Sequence, residues 1–196
     1  GFFKMIKKQA EEKEEWLDCL CQRHGKALQE KILSAFVSVC GLGGLGSNIA
    51  ISLARAGIGN LVLIDFDKVD ITNIHRQQYK ANQIGMYKTE ALRNNLKEIN
   101  PYLETKIHAI QLDENNAKDI LSDADIICEA IDKAECKAML TNFVLEKMPD
   151  KYIVAASGMA GMGSANSIHT RKVTKRFYLC GDEVSDVKDG IGLISS

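Results

Sequence analysis

The sequence lacks an excess of one charge and any long uninterrupted run of hydrophobic residues. Lys and Arg number 25 against 26 Asp and Glu, which leaves a formal net charge of −1. A balanced charge provides no general attraction to nucleic acid or to an anionic membrane surface. No segment approaches the roughly 18 consecutive apolar residues of a membrane-spanning helix, and the first residues include no apolar stretch of signal-peptide length. We therefore expect a cytoplasmic protein whose partners are neither nucleic acid nor membrane.

Paired cysteines at metal-binding spacing are also absent. No C-x-x-C motif occurs among the six cysteines, which are Cys19, Cys21, Cys40, Cys128, Cys136 and Cys180. Because a closed zinc site needs four ligands, no zinc is expected. Scattered thiols in apolar surroundings behave as small hydrophobic residues and fit a reducing compartment.

An apolar content of 45% in 196 residues suffices for one sizeable core, and this length predicts one domain with an extension instead of two independent domains. Residues 5–33 place apolar residues at helical intervals among Glu, Lys and Gln, which predicts one or two amphipathic helices interrupted near Gly25. We divide the chain into a helical extension, residues 1–33, and a nucleotide-binding domain, residues 34–196. The extension either packs on the domain or on a second subunit, or it directs Arg23 or Lys26 to a nucleotide site of that subunit.

Strands and helices are predicted to alternate after this extension. The predicted strands cover 35–40, 61–64, 106–110, 124–130 and 152–156, and the predicted helices cover 48–56, 86–99, 114–121 and about 133–147. This alternation predicts an α/β fold with a Rossmann-like, doubly wound and mostly parallel sheet. Small residues dominate 157–167 and predict a loop or a close backbone approach.

A glycine-rich segment separates the first predicted strand from the helix that follows it. Gly41, Gly43 and Gly46 form G-x-G-x-x-G, with Gly44 between them, and Asp65 ends the next strand. In this arrangement the amides at the helix start bind phosphate, and the carboxylate accepts hydrogen bonds from ribose hydroxyls. The pattern predicts a nucleotide site, but it does not distinguish ATP from a nicotinamide dinucleotide.

The segment after the second strand is dense in charged and amide side chains. An ATP site whose α-phosphorus is attacked needs cations for the phosphate charge, a carboxylate for Mg²⁺ and amides for orientation. Arg76 and Lys88 are the candidate cations, and Asn73 and Gln77 are the candidate amides. Asp132 follows the fourth strand, where an open α/β sheet places its ligand groups, and is the candidate magnesium ligand.

Each of these residues has a structural interpretation that stays open. Arg76 can be a surface salt-bridge partner, Lys88 a solvated lysine at a helix start, and Asp132 a helix cap. Asp67 can bind phosphate or metal, or it can stabilise a turn.

The stretches GLGGLGSNIAISLARAGIGNLVLIDFDKVDITNIHRQ, GMYKTEAL and INP resemble the ThiF/MoeB/HesA family, whose fold is shared with the adenylation domains of ubiquitin-activating enzymes. The sequence resembles most the short, zinc-less ThiF-like proteins associated with thiamine biosynthesis. By this resemblance, Asp65 holds the ribose, and Asn73 and Arg76 contact the phosphates. Lys88 matches the family lysine, and Asp132 matches the aspartate associated with magnesium.

The resemblance implies an ATP-dependent adenylyltransferase in which no side chain needs to become covalently attached in the first step.

 In the reaction that it implies, the C-terminal glycine carboxylate of a ubiquitin-like sulfur-carrier protein ending in Gly-Gly attacks the α-phosphorus of Mg-ATP, which gives an acyl adenylate and pyrophosphate. Arg76, Lys88 and Asp132 are the catalytic residues in this hypothesis, and a homodimer is expected. Some relatives use a late cysteine to carry the activated protein or the sulfur. Cys180, expected in a late loop, is either that residue or an ordinary thiol.

Two other classes of function stay open. A nicotinamide-dependent oxidoreductase would use the same glycine loop, and it would be stabilised against heat by NAD and not by Mg-ATP. A non-catalytic binding module would hold a nucleotide or a carrier tail without turnover, and an exchange assay would reveal it.

Overall fold

The computed structural model describes residues 1–157 and 169–181 and contains one seven-stranded sheet. The strands are β1 Phe36–Cys40, β2 Asn60–Ile64, β3 Glu104–His108, β4 Ile126–Glu129, β5 Tyr152–Ser157, β6 His169–Thr174 and β7 Phe177–Gly181. They lie in the order β3-β2-β1-β4-β5-β7-β6. The pair β6/β7 is antiparallel, and the other neighbouring pairs are parallel. The predicted Rossmann-like, mostly parallel sheet is therefore confirmed.

Six α-helices accompany the sheet in the described part of the chain. They are α1 Phe2–His24, α2 Lys26–Ser34, α3 Gly44–Arg55, α4 Lys88–Ile99, α5 Ala117–Ile120 and α6 Ala134–Lys147. Short 3₁₀ helices at Ile71–Asn73 and Ala81–Gln83 lie between β2 and α4. None of the helices in the described ranges combines the length and the apolar character that crossing a membrane requires.

The helical extension is broken at Gly25, as predicted, because this residue adopts a φ of 79° that suits glycine. The C-terminal half of α1 packs on the domain. The ring of Trp16 lies 5.5 Å from the ring of Tyr102, and the side chain of Leu20 approaches Gly57 so closely that a Cβ there would meet it at 2.5 Å. The packing of the extension on the domain is thus observed within one chain.

The hydrophobic core occupies both faces of the sheet. Along β2, Leu61 and Leu63 belong to the cluster beneath α3 and α4, whereas Val62 and Ile64 belong to the cluster beneath α5 and α6. This alternation follows from the two-residue period of a strand. Each fully buried leucine contributes roughly 1.5–3 kcal/mol relative to an exposed one. The two clusters hold the carboxyl ends of the central strands in fixed positions.

Some element boundaries differ from the predicted ones. Helix α3 begins at Gly44, earlier than the predicted 48–56, because the last glycines of the loop already have helical backbone. Strand β3 covers Glu104–His108 instead of 106–110, since it pairs residue for residue with β2. The amides at the start of α3 therefore lie closer to the end of β1 than the sequence suggested.

Helix α5 is shorter than the predicted helix 114–121. The carboxylate of Asp113 accepts hydrogen bonds from the backbone N–H groups of Asn115 and Asn116 at 2.8 and 2.9 Å. These bonds hold the preceding residues in a turn, so that only one helical turn follows.

The hairpin of β6 and β7 was not predicted. All six residues of β6 are exposed, so the strand has no buried face that an alternating pattern could reveal. The expectation that Cys180 lies in a late loop is wrong, because this residue is in β7, half-buried, with its sulfur 3.6 Å from the hydroxyl of Thr170. The loop predicted over 157–167 lies outside the described residues apart from Ser157, which ends β5.

Candidate nucleotide site

A cavity opens at the carboxyl ends of β1, β2 and β4. The chain leaves β1 toward β2 on one side and returns to β4 on the other, which makes this the switch point where open α/β sheets bind ligands. The cavity holds about 670 Å³ of empty space, part of it open to solvent. Its lining comprises Gly41, Gly43, Ile64, Asp65, Phe66, Asp67, Lys88, Ile110, Gln111, Leu112, Ala130, Ile131, Asp132, Lys133 and Cys136. Six of the predicted site residues are thus brought together.

The glycine loop is packed tightly against the end of β4. Gly41 has a φ of +88°, and a Cβ on it would lie 2.6 Å from the carbonyl oxygen of Ala130. A Cβ on Gly46 would overlap the carbonyl oxygen of Gly41. Both positions therefore require glycine, since any side chain would push the loop away from the sheet. Gly43 lines the cavity, and α3 starts at the next residue, so the first amides of the helix adjoin the cavity.

Asp65 ties this loop to the segment after β2. One carboxylate oxygen accepts a hydrogen bond from the backbone N–H of Leu42 at 2.7 Å, and the other accepts one from the backbone N–H of Asp67 at 2.7 Å. Burial raises the pKa of Asp65, and the two backbone hydrogen bonds oppose that rise. The sequence predicted a ribose contact here, and the structure adds a role in fixing the loop.

Tyr79 contacts Leu42, the loop residue that Asp65 also contacts, and Tyr79 was not predicted from the sequence. Its buried hydroxyl donates a hydrogen bond to the carbonyl oxygen of Leu42 at 2.6 Å. Burial, and secondarily the negative charge of Asp65, raise the pKa of Tyr79 above its ordinary value. The hydroxyl therefore stays protonated and remains a donor. Nothing in the local sequence marks Tyr79, because it is distant from the glycine loop along the chain.

Lys88 is the first residue of α4 and is only 6% exposed. Its ammonium nitrogen lies 3.8 Å from a carboxylate oxygen of Asp67, whose side chain is 54% exposed. The interpretation of Lys88 as a solvated lysine is wrong, because α4 and the segment after β2 enclose it. A buried cation on the wall of the cavity is suited to a phosphate oxygen.

Arg76 lies beside the start of α3. A Cβ on Gly44 would be 4.0 Å from both Cγ and Nε of Arg76, and the guanidinium donates a hydrogen bond to the carbonyl oxygen of Thr72 at 3.1 Å. Arg76 is absent from the cavity lining but adjoins Gly44, the residue after Gly43, which belongs to the lining. The guanidinium is therefore next to the helix start that the glycine loop leads into.

The two candidate amides lie away from the cavity. The side-chain oxygen of Asn73 accepts a hydrogen bond from the backbone N–H of Asp70 at 2.9 Å, within a capping box of the short 3₁₀ helix. Gln77 is 5% exposed and lines a separate concave surface together with Ile51 and Asn95. Their assignment to the nucleotide stays a prediction.

Asp132 is exposed in the turn between β4 and α6 and lines the same cavity as Gly41 and Gly43. The interpretation of Asp132 as a helix cap is wrong, because Lys133 occupies the N-cap position of α6. Within residues 1–157 and 169–181, no group of three or more His, Cys, Asp or Glu side chains is placed to hold a metal. A magnesium ion at Asp132 would therefore take most of its ligands from phosphate and water oxygens, which is a common arrangement for this ion.

An ion pair with a buried carboxylate lies near Asp132, and it was not predicted from the sequence either. Glu129, at the end of β4, is 1% exposed, and the ammonium of Lys137 on α6 donates hydrogen bonds to both of its oxygens at 2.9 and 2.7 Å. Burial raises the pKa of Glu129, the charge of Lys137 opposes that rise, and the charge of Asp132 adds to it. A glutamate within the apolar run ADIICEA was the available signal, since buried carboxylates are rare without a partner.

The remaining lining is largely apolar, which is suited to a planar base. Phe66, Ile110, Leu112 and Ile131 come from three separate segments. The sequence did not reveal them, because ordinary apolar residues acquire this role only through the fold. Lys133 adds a further cation to the same cavity.

Comparison with known proteins gives a consistent family assignment. The ThiF family model matches residues 18–189. The adenylyltransferase and sulfurtransferase MOCS3 of Caenorhabditis briggsae is 32% identical over 147 residues, which are 74% of this chain and 36% of that protein. The ubiquitin-like modifier-activating enzyme 5 of Caenorhabditis elegans is 46% identical over 79 residues, which are 40% of this chain and 19% of that protein.

A solved structure gives the same picture. The E. coli tRNA N6-threonylcarbamoyladenosine dehydratase TcdA in complex with ATP superimposes with a TM-score of 0.74 at 27% sequence identity, over 81% of this chain and 65% of that one. The matches to MOCS3 proteins cover most of this chain. The matched part is only about a third of the length of those proteins.

Proposed function

The chain belongs to the ThiF family, and on this premise we propose that it is the adenylation unit of an ATP-dependent adenylyltransferase acting on a ubiquitin-like carrier protein. The observation that supports this most is the convergence on one cavity of the glycine loop, Asp65, Lys88 and Asp132. The names of the relatives agree, since MOCS3 is an adenylyltransferase and enzyme 5 activates a ubiquitin-like modifier.

In the proposed reaction the C-terminal glycine carboxylate of the carrier attacks the α-phosphorus of ATP. A bond forms between a carboxylate oxygen and this phosphorus, the bond from the phosphorus to the bridging oxygen of the β-phosphate breaks, and pyrophosphate leaves with the electron pair. The products are the acyl adenylate of the carrier and pyrophosphate. No side chain becomes covalently attached, so the protein contributes orientation and charge stabilisation.

The residues present fit ATP and magnesium. The glycine loop and the start of α3 supply amides for phosphate, Asp65 adjoins the loop, and the apolar wall suits adenine. Lys88 and Arg76 would neutralise phosphate oxygens as negative charge develops on them. Asp132 would hold magnesium, and the charge of that ion would offset the negative charge of the phosphates.

The finer proposal names the carrier and the assembly. We propose a cytoplasmic homodimer whose carrier is a ThiS-like sulfur-carrier protein ending in Gly-Gly, with sulfur transfer for thiamine biosynthesis following adenylation. This rests on the sequence resemblance alone. TcdA, which shares the fold, is named as a tRNA dehydratase, so the substrate has to be identified by experiment.

The decisive experiment is exchange of labelled pyrophosphate into ATP, with magnesium, in the presence and absence of a carrier ending in Gly-Gly. Exchange that depends on the carrier supports the proposal, and a carrier truncated by its last two residues is the matched control. Tight ATP binding without exchange for any carrier would favour a non-catalytic module. Heat stabilisation by NAD and not by Mg-ATP would instead favour the oxidoreductase.

A further inference from the structure

The ion pair between Glu129 and Lys137 connects three elements at the end of the sheet that faces the cavity. Besides its two bonds to Glu129, the ammonium of Lys137 donates a hydrogen bond to the carbonyl oxygen of Ala156 on β5 at 2.9 Å. One oxygen of Glu129 also accepts a hydrogen bond from the backbone N–H of Ile131 at 2.9 Å. The pair therefore links β4, α6 and β5 to the residue that immediately precedes Asp132.

Stability alone does not explain this arrangement. Removing two charges from water costs free energy that their attraction often fails to return, and well-packed apolar residues usually do as well or better in such positions. The side chain of Glu129 is fully buried, while that of Lys137 is 31% exposed. What an apolar pair would not supply is the set of directed hydrogen bonds to Ile131 and Ala156.

Those bonds act on a turn that the glycine loop also contacts, since Gly41 packs against Ala130 and Ile131. Asp132 is exposed, and the N-cap residue of α6, Lys133, makes no side-chain capping hydrogen bond. The backbone N–H of Ala130 is bonded to the carbonyl oxygen of Cys40 on β1 at 2.8 Å, which ends the pairing with the sheet. Between there and Asp132, the bond from the N–H of Ile131 to Glu129 is the side-chain hydrogen bond that holds the backbone of the turn.

We propose that Glu129 and Lys137 are positioning residues that fix the turn Ala130–Asp132, so that Asp132 is held in the lining of the cavity that Gly41 and Gly43 also line. This inference rests on the proposed function, because Asp132 is taken to act on the magnesium and phosphates of ATP. Lys137 holds the carboxylate of Glu129 in place, and Glu129 in turn holds the backbone of Ile131. Supporting contacts of this kind change metal affinity or activity by about 10- to 100-fold when they are removed.

Three variants separate positioning from stability. Lys137→Met leaves the buried carboxylate without its cation. Lys137→Arg keeps a cation that can form two hydrogen bonds to a carboxylate. The double variant Glu129→Met with Lys137→Met removes both charges together with the oxygen that accepts the N–H of Ile131, so that the protein avoids an unpaired buried charge and stays folded even where the single variant does not. Lys80→Met is the matched control, because Lys80 makes an ion pair of equal length, 2.7 Å to Glu98, on the exposed surface.

The measurements are the kcat of carrier-dependent pyrophosphate exchange, the magnesium concentration at half-maximal rate, the Kd for AMP without magnesium, and the melting temperature. We expect the double variant to keep its melting temperature and AMP affinity but to lose about 10- to 100-fold in kcat and to need more magnesium. Lys137→Arg should recover most of the rate, and Lys80→Met should match the unmodified protein. A double variant with unchanged kcat and unchanged magnesium requirement would overturn the proposal.

The two proposals can fail separately. If the unmodified protein shows no exchange, the proposed function fails in its catalytic part, and the effect of magnesium on ATP affinity decides the positioning role. Loss of that effect in the double variant would support positioning, and its retention would contradict it. If the unmodified protein binds no ATP, both proposals are wrong.

Discussion

The wall of the cavity formed by β1 and β2 differs from the wall formed by β4 and α6 in what holds its functional groups in place. On the first wall, Leu42 of the glycine loop is fixed through its N–H by Asp65 and through its carbonyl oxygen by Tyr79. On the second wall, Asp132 stands exposed in a turn that is supported from behind by the pair Glu129 and Lys137. The first wall therefore consists of closely packed backbone, whereas the second presents a single carboxylate on a turn that side-chain hydrogen bonds support.

From this difference we infer that the first wall contributes mainly to nucleotide binding and the second mainly to the reaction rate. A cradle of backbone amides recognises the phosphate and ribose that ATP and AMP share, so damage to it should weaken binding of both nucleotides. A carboxylate that acts through magnesium stabilises mainly the charge that develops in the transition state. Its substitution should therefore lower the rate and leave AMP binding intact. Each prediction that follows tests whether binding and rate separate in this way.

The largest effect is expected at the second wall. Asp132→Ala should lower the kcat of pyrophosphate exchange by about 10³-fold, a typical loss for a group that stabilises transition-state charge, while the fold and the affinity for AMP stay close to normal. Arg76→Ala should have an effect of similar size although Arg76 lies beside the glycine loop of the first wall, because its guanidinium is proposed to neutralise phosphate charge that develops in the transition state. Asp123→Ala, which removes an exposed carboxylate outside the cavity lining, is the control. A near-normal rate in either main variant would show that the wrong residue was assigned.

The next largest effect concerns the packing of the first wall. Gly46→Ala would drive a Cβ into the carbonyl oxygen of Gly41, which should cost about 3 kcal/mol of unfolding free energy. In a domain of this size that corresponds to a fall of roughly 6–12 °C in melting temperature. Gly44→Ala is the control in the same loop, because its Cβ would meet nothing closer than 4.0 Å. Equal melting temperatures for the two variants would contradict the close packing.

The two walls also differ in how well the sequence predicted them. The first wall is encoded locally, because the spacing of Gly41, Gly43 and Gly46 between a strand and a helix requires a tight turn against a phosphate site. Asp65 and Lys88 follow at the ends of predictable elements, and the structure places both in the cavity lining. The order of the central strands follows from the same alternation of elements.

The second wall was predicted only in part. The position of Asp132 in the cavity lining was expected from its place after β4, but the contacts of Glu129 with Lys137 on α6, and of Lys137 with Ala156 on β5, were not. Contacts between distant segments leave no spacing in the sequence that a periodic pattern could detect. The same reason explains why Tyr79 was missed on the first wall.

A moderate effect is expected for Asp65. Asp65→Ala removes the acceptor of two backbone hydrogen bonds and the proposed ribose contact, so ATP and AMP affinity should each fall by about 10- to 100-fold, which is 1–3 kcal/mol. The kcat at saturating ATP should change less. Asp113→Ala is the matched control, since Asp113 also accepts two backbone hydrogen bonds in a turn but lies outside the cavity lining. Unchanged nucleotide affinity, measured by calorimetry, would remove Asp65 from the ribose.

The smallest effect is expected for Tyr79, and this variant tests whether a small change in the first wall alters nucleotide affinity without altering kcat. Tyr79→Phe keeps the buried ring but removes the hydroxyl that donates to Leu42, a loss of about 1 kcal/mol in stability. The other hold on Leu42, through Asp65, remains, so ATP affinity should fall by only a few fold. Tyr102→Phe, which keeps the ring that contacts Trp16, is the control. Because Tyr79 touches the loop and not the turn of Asp132, a change in kcat larger than the change in affinity would mean that the two walls act together.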